Sequence, residues 1–341
     1  MFENFWGNSR IVDALDQMLA HDRLAQTLLF SGPEGVGKAT LARRLAARLL
    51  GRPELIERDN LSLEGNRETV AARERWPADK RNEDPLLFAT HPDFVTFAPD
   101  GPLRQISIQQ TRLLKERAQY LPNQGSRRIF LIDHVDRANE QAANSLLKTL
   151  EEPPAHLVLI MTAENAYDLL PTIRSRAVPF HFSPLAPDEM RSFVKARSLD
   201  RPDRRISLAA GSPGLALSLD LEAYDKRRAA MLALLKTAAG VAPFSAWLPV
   251  SETLGRSKSE KLEVYLKVLY ELLRDLLILR EAAGEIRNQD IHGELEALAR
   301  KVEFAWIRKA VARVDEIAEL IRRNIQKTIA LDALIMELRA A

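Results

Sequence analysis

No cysteine occurs in the 341 residues, which excludes a disulfide framework and any thiolate-bound zinc site. That absence agrees with a cytoplasmic protein. No uninterrupted apolar run approaches the ~18–20 residues needed to span a bilayer, so no membrane segment is expected. The start, Met1-Phe2-Glu3-Asn4-Phe5-Trp6-Gly7, lacks the basic-then-apolar layout of a signal peptide. Internal repeats and low-complexity tracts are missing as well. Excess charge of one sign is missing too: 49 basic residues face 47 acidic ones. A nucleic-acid role would therefore need local patches. One candidate patch is Arg104, Arg112, Lys115, Arg117, Arg127 and Arg128, with Glu116 as its acid; composition alone favours the plainer reading, a solvated helix face. Hydrophobic residues at 46% and charged residues at 28% describe a globular chain long enough for two or three domains.

The strongest signal that is present is Gly32-Pro33-Glu34-Gly35-Val36-Gly37-Lys38-Ala39. It follows the apolar run Leu28-Leu29-Phe30 and opens a helical pattern from Thr40 to Ala46. This strand–glycine loop–helix setting is what a phosphate-binding loop requires. Its glycines let backbone N–H groups converge on phosphate oxygens, the helix N-terminus adds positive potential, and Lys38 answers the outer phosphates. The eighth position should carry a hydroxyl for Mg²⁺, and it is Ala39. Thr40 is one residue out of register, which turns its hydroxyl by about 100° around the helix. ATP or ADP is the ligand this loop suits, with Mg²⁺ ligation in doubt. Whether the loop is filled or is an inherited shape stays open.

Residues 1–50 read as helix, strand, loop and helix. The 51–89 stretch is polar and weakly periodic, and reads as an irregular insertion. Phe94–Phe97 reads as a strand, and Ser107 with Gln110 as a capping box opening a helix that runs to about Tyr120. Arg128 to Asp133 reads as a buried strand ending in a carboxylate, the place of the acid that orients Mg²⁺ through water in a P-loop ATPase. A helix follows with Ala142, Ala143, Leu146, Leu147 and Leu150 on one face, for which Asp136 is the expected N-cap; Glu151-Glu152-Pro153-Pro154 stops it. Leu157–Thr162 and Val178–Phe182 complete the strands. Alternating strands and helices predict a parallel α/β sheet over 1–182. Helical periodicity alone continues through 183–240 and 241–341. Its stripes include Leu262, Leu266, Leu269, Leu273 and Leu276, then Val311, Val314, Ala318, Ile321 and Ile325.

Thr90-His91-Pro92-Asp93, Leu131-Ile132-Asp133-His134, Leu146-Leu147-Lys148-Thr149-Leu150-Glu151-Glu152-Pro153-Pro154 and Ile173-Arg174-Ser175-Arg176 together resemble the clamp-loader subunits of bacterial DNA polymerase III. The resemblance covers residues 1–220; beyond 240 only helical character matches. It implies an AAA+ module, a small helical lid over 183–240 and an all-α collar over 241–341. It implies a heteropentamer with tau/gamma and delta subunits, acting on a sliding clamp at primer–template DNA. It also gives Ser175-Arg176 the role of a trans arginine finger, placed on a neighbouring subunit's ATP, where a guanidinium stabilises charge spreading in the transition state. Ala177 stands where the family triplet has cysteine.

Three departures bear on the reaction. Ala39 removes the Mg²⁺ ligand. His134 stands where family ATPases carry the glutamate that polarises water. Gly214, in Gly211-Ser212-Pro213-Gly214, stands where the lid arginine belongs. Thr162 keeps the place of the family's sensor residue, and 51–89 lacks the four zinc cysteines of many relatives. The expected protein is a subunit without its own ATP hydrolysis that lends Arg176 to a neighbour. The alternatives are an active tau/gamma-type ATPase using Thr40 and His134, or a nucleotide-binding regulatory scaffold outside replication.

Overall fold

The structure is a computed structural model describing residues 2, 5–256, 261–320 and 326–339. Met1, Glu3 and Asn4 of the stretch read for a signal peptide, and Ile321 and Ile325 of the second stripe, lie outside the described residues. Two compact units are present. One is Met1–Leu199 with Gly211–Leu215; the other is Asp200–Ala210 with Ala216–Ala341.

In the first unit, helix α1 (Ser9–Ala20), strand β1 (Thr27–Ser31) and helix α2 (Lys38–Leu50) follow one another as the sequence predicts. Strands β2 (Phe94–Phe97), β3 (Arg128–Ile132), β4 (Leu157–Ala163) and β5 (Val178–His181) join β1 in a parallel sheet of order β2-β3-β4-β1-β5. Both faces are covered, so the strands read as continuous apolar runs. Their pleat still sorts the side chains by period two. Leu28, Phe30, Ile129, Leu131, Val158 and Ile160 pack with Leu15, Leu41 and Leu45 of α1 and α2. Leu29, Phe130, Ile132, Leu159 and Met161 pack on the other side with Leu114, Leu146, Leu150 and Ile173.

The insertion is not irregular. It carries α3 (Pro53–Glu57), α4 (Glu64–Arg73) and α5 (Ala78–Glu83). Its apolar contribution is small, Ile56 in the cluster under α2 and Val70 beside Leu86 and Ala98, which is why periodicity misses it. Its order comes from Arg73, which is buried and grips Asp100 with Nε (3.0 Å) and Nη2 (2.7 Å) while Nη1 reaches Asp84 at 3.2 Å. Burial opposes the Arg73 charge, yet Asp100 and Asp84 hold its pKa above the ordinary value. The Trp76 ring has the Arg73 guanidinium at 4.5 Å and the Lys80 ammonium at 3.8 Å. At the insertion's exit, Asp59 accepts from Thr90 N–H and Oγ1, and His91 Nδ1 accepts from Asp93 N–H at 3.1 Å. Asp93 in turn accepts from Asn123 and Gln124 N–H at 2.7 and 2.6 Å, closing the turn before β3.

Helix α6 (Ile108–Ala118) begins at the predicted capping box, with Ser107 and Gln110 bonding each other's backbone. Helix α7 (Glu140–Glu151) is capped by Asn139, whose side chain accepts from Ala142 N–H at 2.8 Å, and not by Asp136. Asp136 instead accepts from Glu164 N–H at 3.0 Å, because a 3₁₀ turn over Val135–Arg137 separates it from the helix. Helices α8 (Pro171–Arg174) and α9 (Pro187–Ala196) follow.

The remaining helices are α10 (Pro202–Ala209), α11 (Pro213–Ser218), α12 (Leu221–Ala238), α13 (Leu248–Arg256), α14 (Leu262–Glu281), α15 (His292–Ala299), α16 (Phe304–Leu320) and α17 (Lys327–Arg339). The second unit has its own all-helical core, centred on α14. All five leucines of the first predicted stripe are buried there. Of the second stripe, Val314 is buried and Val311 packs half-buried against the same core, whereas Ala318 is exposed; α16 also buries Ile307, Ala310 and Ile317. Among the described residues no helix is long and apolar enough to cross a membrane.

Candidate functional site

The sheet order decides which residues meet. β4 lies between β1 and β3, so the end of β4 stands between the glycine loop after β1 and the carboxylate after β3. Crevices at strand C-termini are where open parallel sheets bind ligands. Asp133 is buried, and its Oδ1 accepts from Thr162 Oγ1 at 2.5 Å. The Thr162 oxygen also accepts from His134 N–H at 2.9 Å. Thr162, weakly signalled in the sequence, is thus the link that orients Asp133. His134 occupies left-handed backbone (φ 54°), a region more accessible to His than to most residues. Its Nδ1 faces the Glu164 carboxylate at 3.8 Å, and Glu164 is also 3.5 Å from Arg137.

Lys38 is the first residue of α2, and its side chain is buried. Nζ donates to the carbonyls of Gly32 (2.6 Å) and Pro33 (2.7 Å), so the ammonium is held by its own loop. Burial pushes its pKa down, while Asp133, Glu164, Asp136 and Glu34 pull the other way without cancelling the effect. Ala39 is half-buried, its methyl packed against the apolar cluster under α2. Thr40 is half-buried. Val36 is buried in the same cluster, Pro33 and Glu34 are exposed, and Phe5 packs against Gly37.

The segment Gly211–Leu215 closes directly onto this loop. Ser212 Oγ donates to Glu34 O at 2.8 Å, and Gly214 N–H donates to Gly35 O at 2.8 Å. The two glycine backbones touch: a Cβ built on Gly214 would stand 2.8 Å from Gly35 Cα and from its carbonyl oxygen. Gly35 itself has φ +75°, so neither position admits a side chain without movement. The sequence marked Gly214 as a missing arginine; the close approach that requires glycine there was not readable from it.

The loop and α2 N-terminus suit a phosphate group. With Ala39 in the eighth position, the hydroxyl that a Mg²⁺ ion takes from such a loop is not supplied. No cluster of three or more potential metal ligands occurs among the described residues.

Ser175 and Arg176 lie elsewhere, on the turn between α8 and β5. Ile173 anchors that turn in the core, Ala177 packs against the same cluster, and Arg174 lies over the Tyr167 ring at 4.9 Å. Arg176 is partly exposed. Nη2 donates to Glu151 Oε1 at 2.6 Å and Nη1 to Thr172 O at 2.8 Å. Ser175 Oγ donates to the same carbonyl at 3.2 Å. Glu151 was read in the sequence only as a helix stop.

The basic patch is thinner than its residue list. Arg104 pairs with Glu74 and Arg127 with Asp22. Arg128 is buried, donating to the carbonyls of Tyr120, Arg117 and Pro92 at 3.3–3.4 Å. Arg112 and Lys115 on α6 are exposed.

A profile of the family described as "DNA polymerase III, delta subunit" matches residues 84–186. DNA polymerase III subunit delta' of Escherichia coli is 28% identical over 235 residues, 67% of this chain and 68% of that one. The delta' subunit of Bacillus subtilis is 31% identical over 178 residues, 52% of this chain and 48% of that one. DNA polymerase III subunit tau of Salmonella typhimurium is 31% identical over 191 residues. The chain spans only 26% of the length of that relative. A gamma-subunit-related protein of DNA polymerase III from Thermotoga maritima overlays with a TM-score of 0.44 and 18% identity, covering 96% of this chain and 98% of that one.

Proposed function

We propose that this chain, which is similar to the delta' and tau subunits of DNA polymerase III, is a clamp-loader AAA+ subunit of the delta-prime type. It does not hydrolyse ATP itself and supplies Arg176 to the ATP of a neighbouring subunit. The observation that carries this reading is the backbone contact between Gly35 and Gly214. A lid arginine cannot be accommodated where the glycines touch, so nucleotide sensing by that route is absent. Ala39 in the Mg²⁺-ligand position supports the same conclusion. Arg176, by contrast, is partly exposed on its own turn, available to a second chain.

The partners that follow are tau/gamma and delta subunits in a heteropentamer, a sliding clamp and primer–template DNA, in the cytoplasm. The C-terminal helices would serve as the collar, and Arg112 and Lys115 would face DNA phosphates, which position a duplex without reading its sequence. A tau/gamma-type ATPase is the second reading, favoured by the intact Thr162–Asp133 hydrogen bond.

The test is reconstitution with tau/gamma and delta subunits, comparing wild type with Arg176→Ala. Assembly is expected to be normal, with DNA-stimulated turnover at the served site lowered by about 10³-fold or more, as for arginine fingers elsewhere. Unchanged turnover in the assembled variant removes the finger assignment. Steady-state hydrolysis by the isolated chain would select the second reading.

A further inference from the structure

We propose that Glu151 is a positioning residue for Arg176, holding its guanidinium pre-oriented for a neighbouring subunit's nucleotide; this rests on the arginine-finger reading. The guanidinium carries five N–H donors. Nη2 is engaged with Glu151 Oε1 at 2.6 Å, and Nη1 with Thr172 O at 2.8 Å and Ser175 Oγ at 3.4 Å. Three donors are thereby committed on the protein side, and Nε–H with the second Nη2 hydrogen remains for an incoming phosphate oxygen. An arginine free in solvent must surrender its rotamer freedom when it meets that oxygen. One already fixed by a carboxylate and a carbonyl has done so.

Two features argue that Glu151 serves the arginine and not the fold. The turn that carries Arg176 is already anchored without it. Pro171 opens α8, Ile173 is buried, and the N–H groups of Ser175 and Arg176 donate to Pro171 O (3.0 Å) and Ile173 O (3.2 Å). Moreover, Glu151 is the last residue of α7, where the helix dipole disfavours an anion. Glu152 follows it directly, which makes the local field still more negative. Lys148 is the basic residue of that last turn, so the acid at its end adds nothing to the helix itself. The acid is accounted for by the cation it holds. Arg174, on the other side of Ser175, shows the contrast: it lies over the Tyr167 ring, packed instead of presented.

The experiment uses the reconstituted complex and four chains: wild type, Glu151→Ala, Arg176→Ala and the double variant. Glu151→Ala is expected to lower kcat of DNA-stimulated ATP hydrolysis by about two- to five-fold, the range of a partly exposed ion pair, with KM for ATP unchanged. Glu151→Asp should recover part of the loss. In the Arg176→Ala background the Glu151 change should have no further effect, because its action runs through the arginine. Thermal unfolding of each free chain reports whether the turn has been damaged, and Glu151→Ala is expected to melt with the wild type. If Arg176→Ala lowers turnover but Glu151→Ala does not, the positioning role is refuted and the finger stands. A Glu151→Ala loss that persists in the Arg176→Ala background also refutes it, as does increased turnover. If Arg176→Ala itself changes nothing, the finger reading fails first.

Discussion

Replacing Gly214 by alanine puts a methyl carbon 2.8 Å from Gly35 Cα and from Gly35 O. Carbon atoms in ordinary contact stand about 3.5–4.0 Å apart, so the methyl intrudes by roughly 1 Å. The loop has little room to retreat, since Gly35 O accepts from Gly214 N–H and Glu34 O accepts from Ser212 Oγ, each at 2.8 Å. Overpacking of this kind costs about 1–3 kcal/mol. Separating the backbones also weakens a hydrogen bond worth about 1 kcal/mol. Alanine's helix propensity returns up to about 1 kcal/mol, less in the first turn of so short a helix as α11. The net expectation is a loss of about 1–3 kcal/mol, or roughly 3–10 °C in Tm for a unit of this size. Calorimetry on the full chain measures it, with Gly65→Ala as control. Gly65 lies in α4 with open space around its Cβ position and no left-handed backbone, so that change should be neutral or stabilising by up to about 1 kcal/mol. Gly214→Arg, which rebuilds the family's lid residue on paper, should destabilise at least as much as alanine and confer no ATP turnover. A Gly214→Ala chain as stable as wild type, or a Gly214→Arg chain that hydrolyses ATP at full stability, refutes the reasoning.

Asp100→Ala removes the bidentate partner of buried Arg73, leaving it with Asp84, and should destabilise by about 3 kcal/mol, as when one member of a buried pair is lost; denaturant titration measures it, and a loss under about 1 kcal/mol would contradict the central role given to Arg73. Burial pushes the His91 imidazole below its ordinary value of 6.5. The folded protein therefore keeps it neutral while the unfolded chain protonates it, and this contribution, complete above pH about 7, is lost as pH falls through 6.5. Asp59, whose pKa burial raises, works in the opposite sense at lower pH, so the comparison is with His91→Asn across pH 5–8. Wild-type stability should fall more steeply towards pH 5 than that of the variant, and parallel profiles would refute the assignment.

Features carried by short-range pattern were legible from residues alone. The capping box at Ser107, the strand ending at Asp133, the glycine loop before Lys38 and the leucine stripe from Leu262 all appear where expected. Each depends on side chains within a turn or two of one another. The order inside 51–89 was not legible, because it rests on Arg73 reaching Asp100 and on Asp59 reaching Thr90, not on any apolar repeat. Asp136 was misplaced as an N-cap because an intervening 3₁₀ turn moves the helix start to Asn139.

By itself the chain's order of residues determined the alternation of strands and helices, the phosphate-loop shape and the loss of a hydroxyl at Ala39, since these are properties of local backbone and side-chain chemistry. Only the tertiary structure decided that Gly214 must be glycine, that Lys38 is held by Gly32 and Pro33, and that Arg176 leans on Glu151. The reason is distance along the chain. Ser212 and Glu34 are 178 residues apart, and Arg176 and Glu151 are 25 apart; which of many polar groups meet across such separations is set by sheet order and packing, which no local pattern encodes.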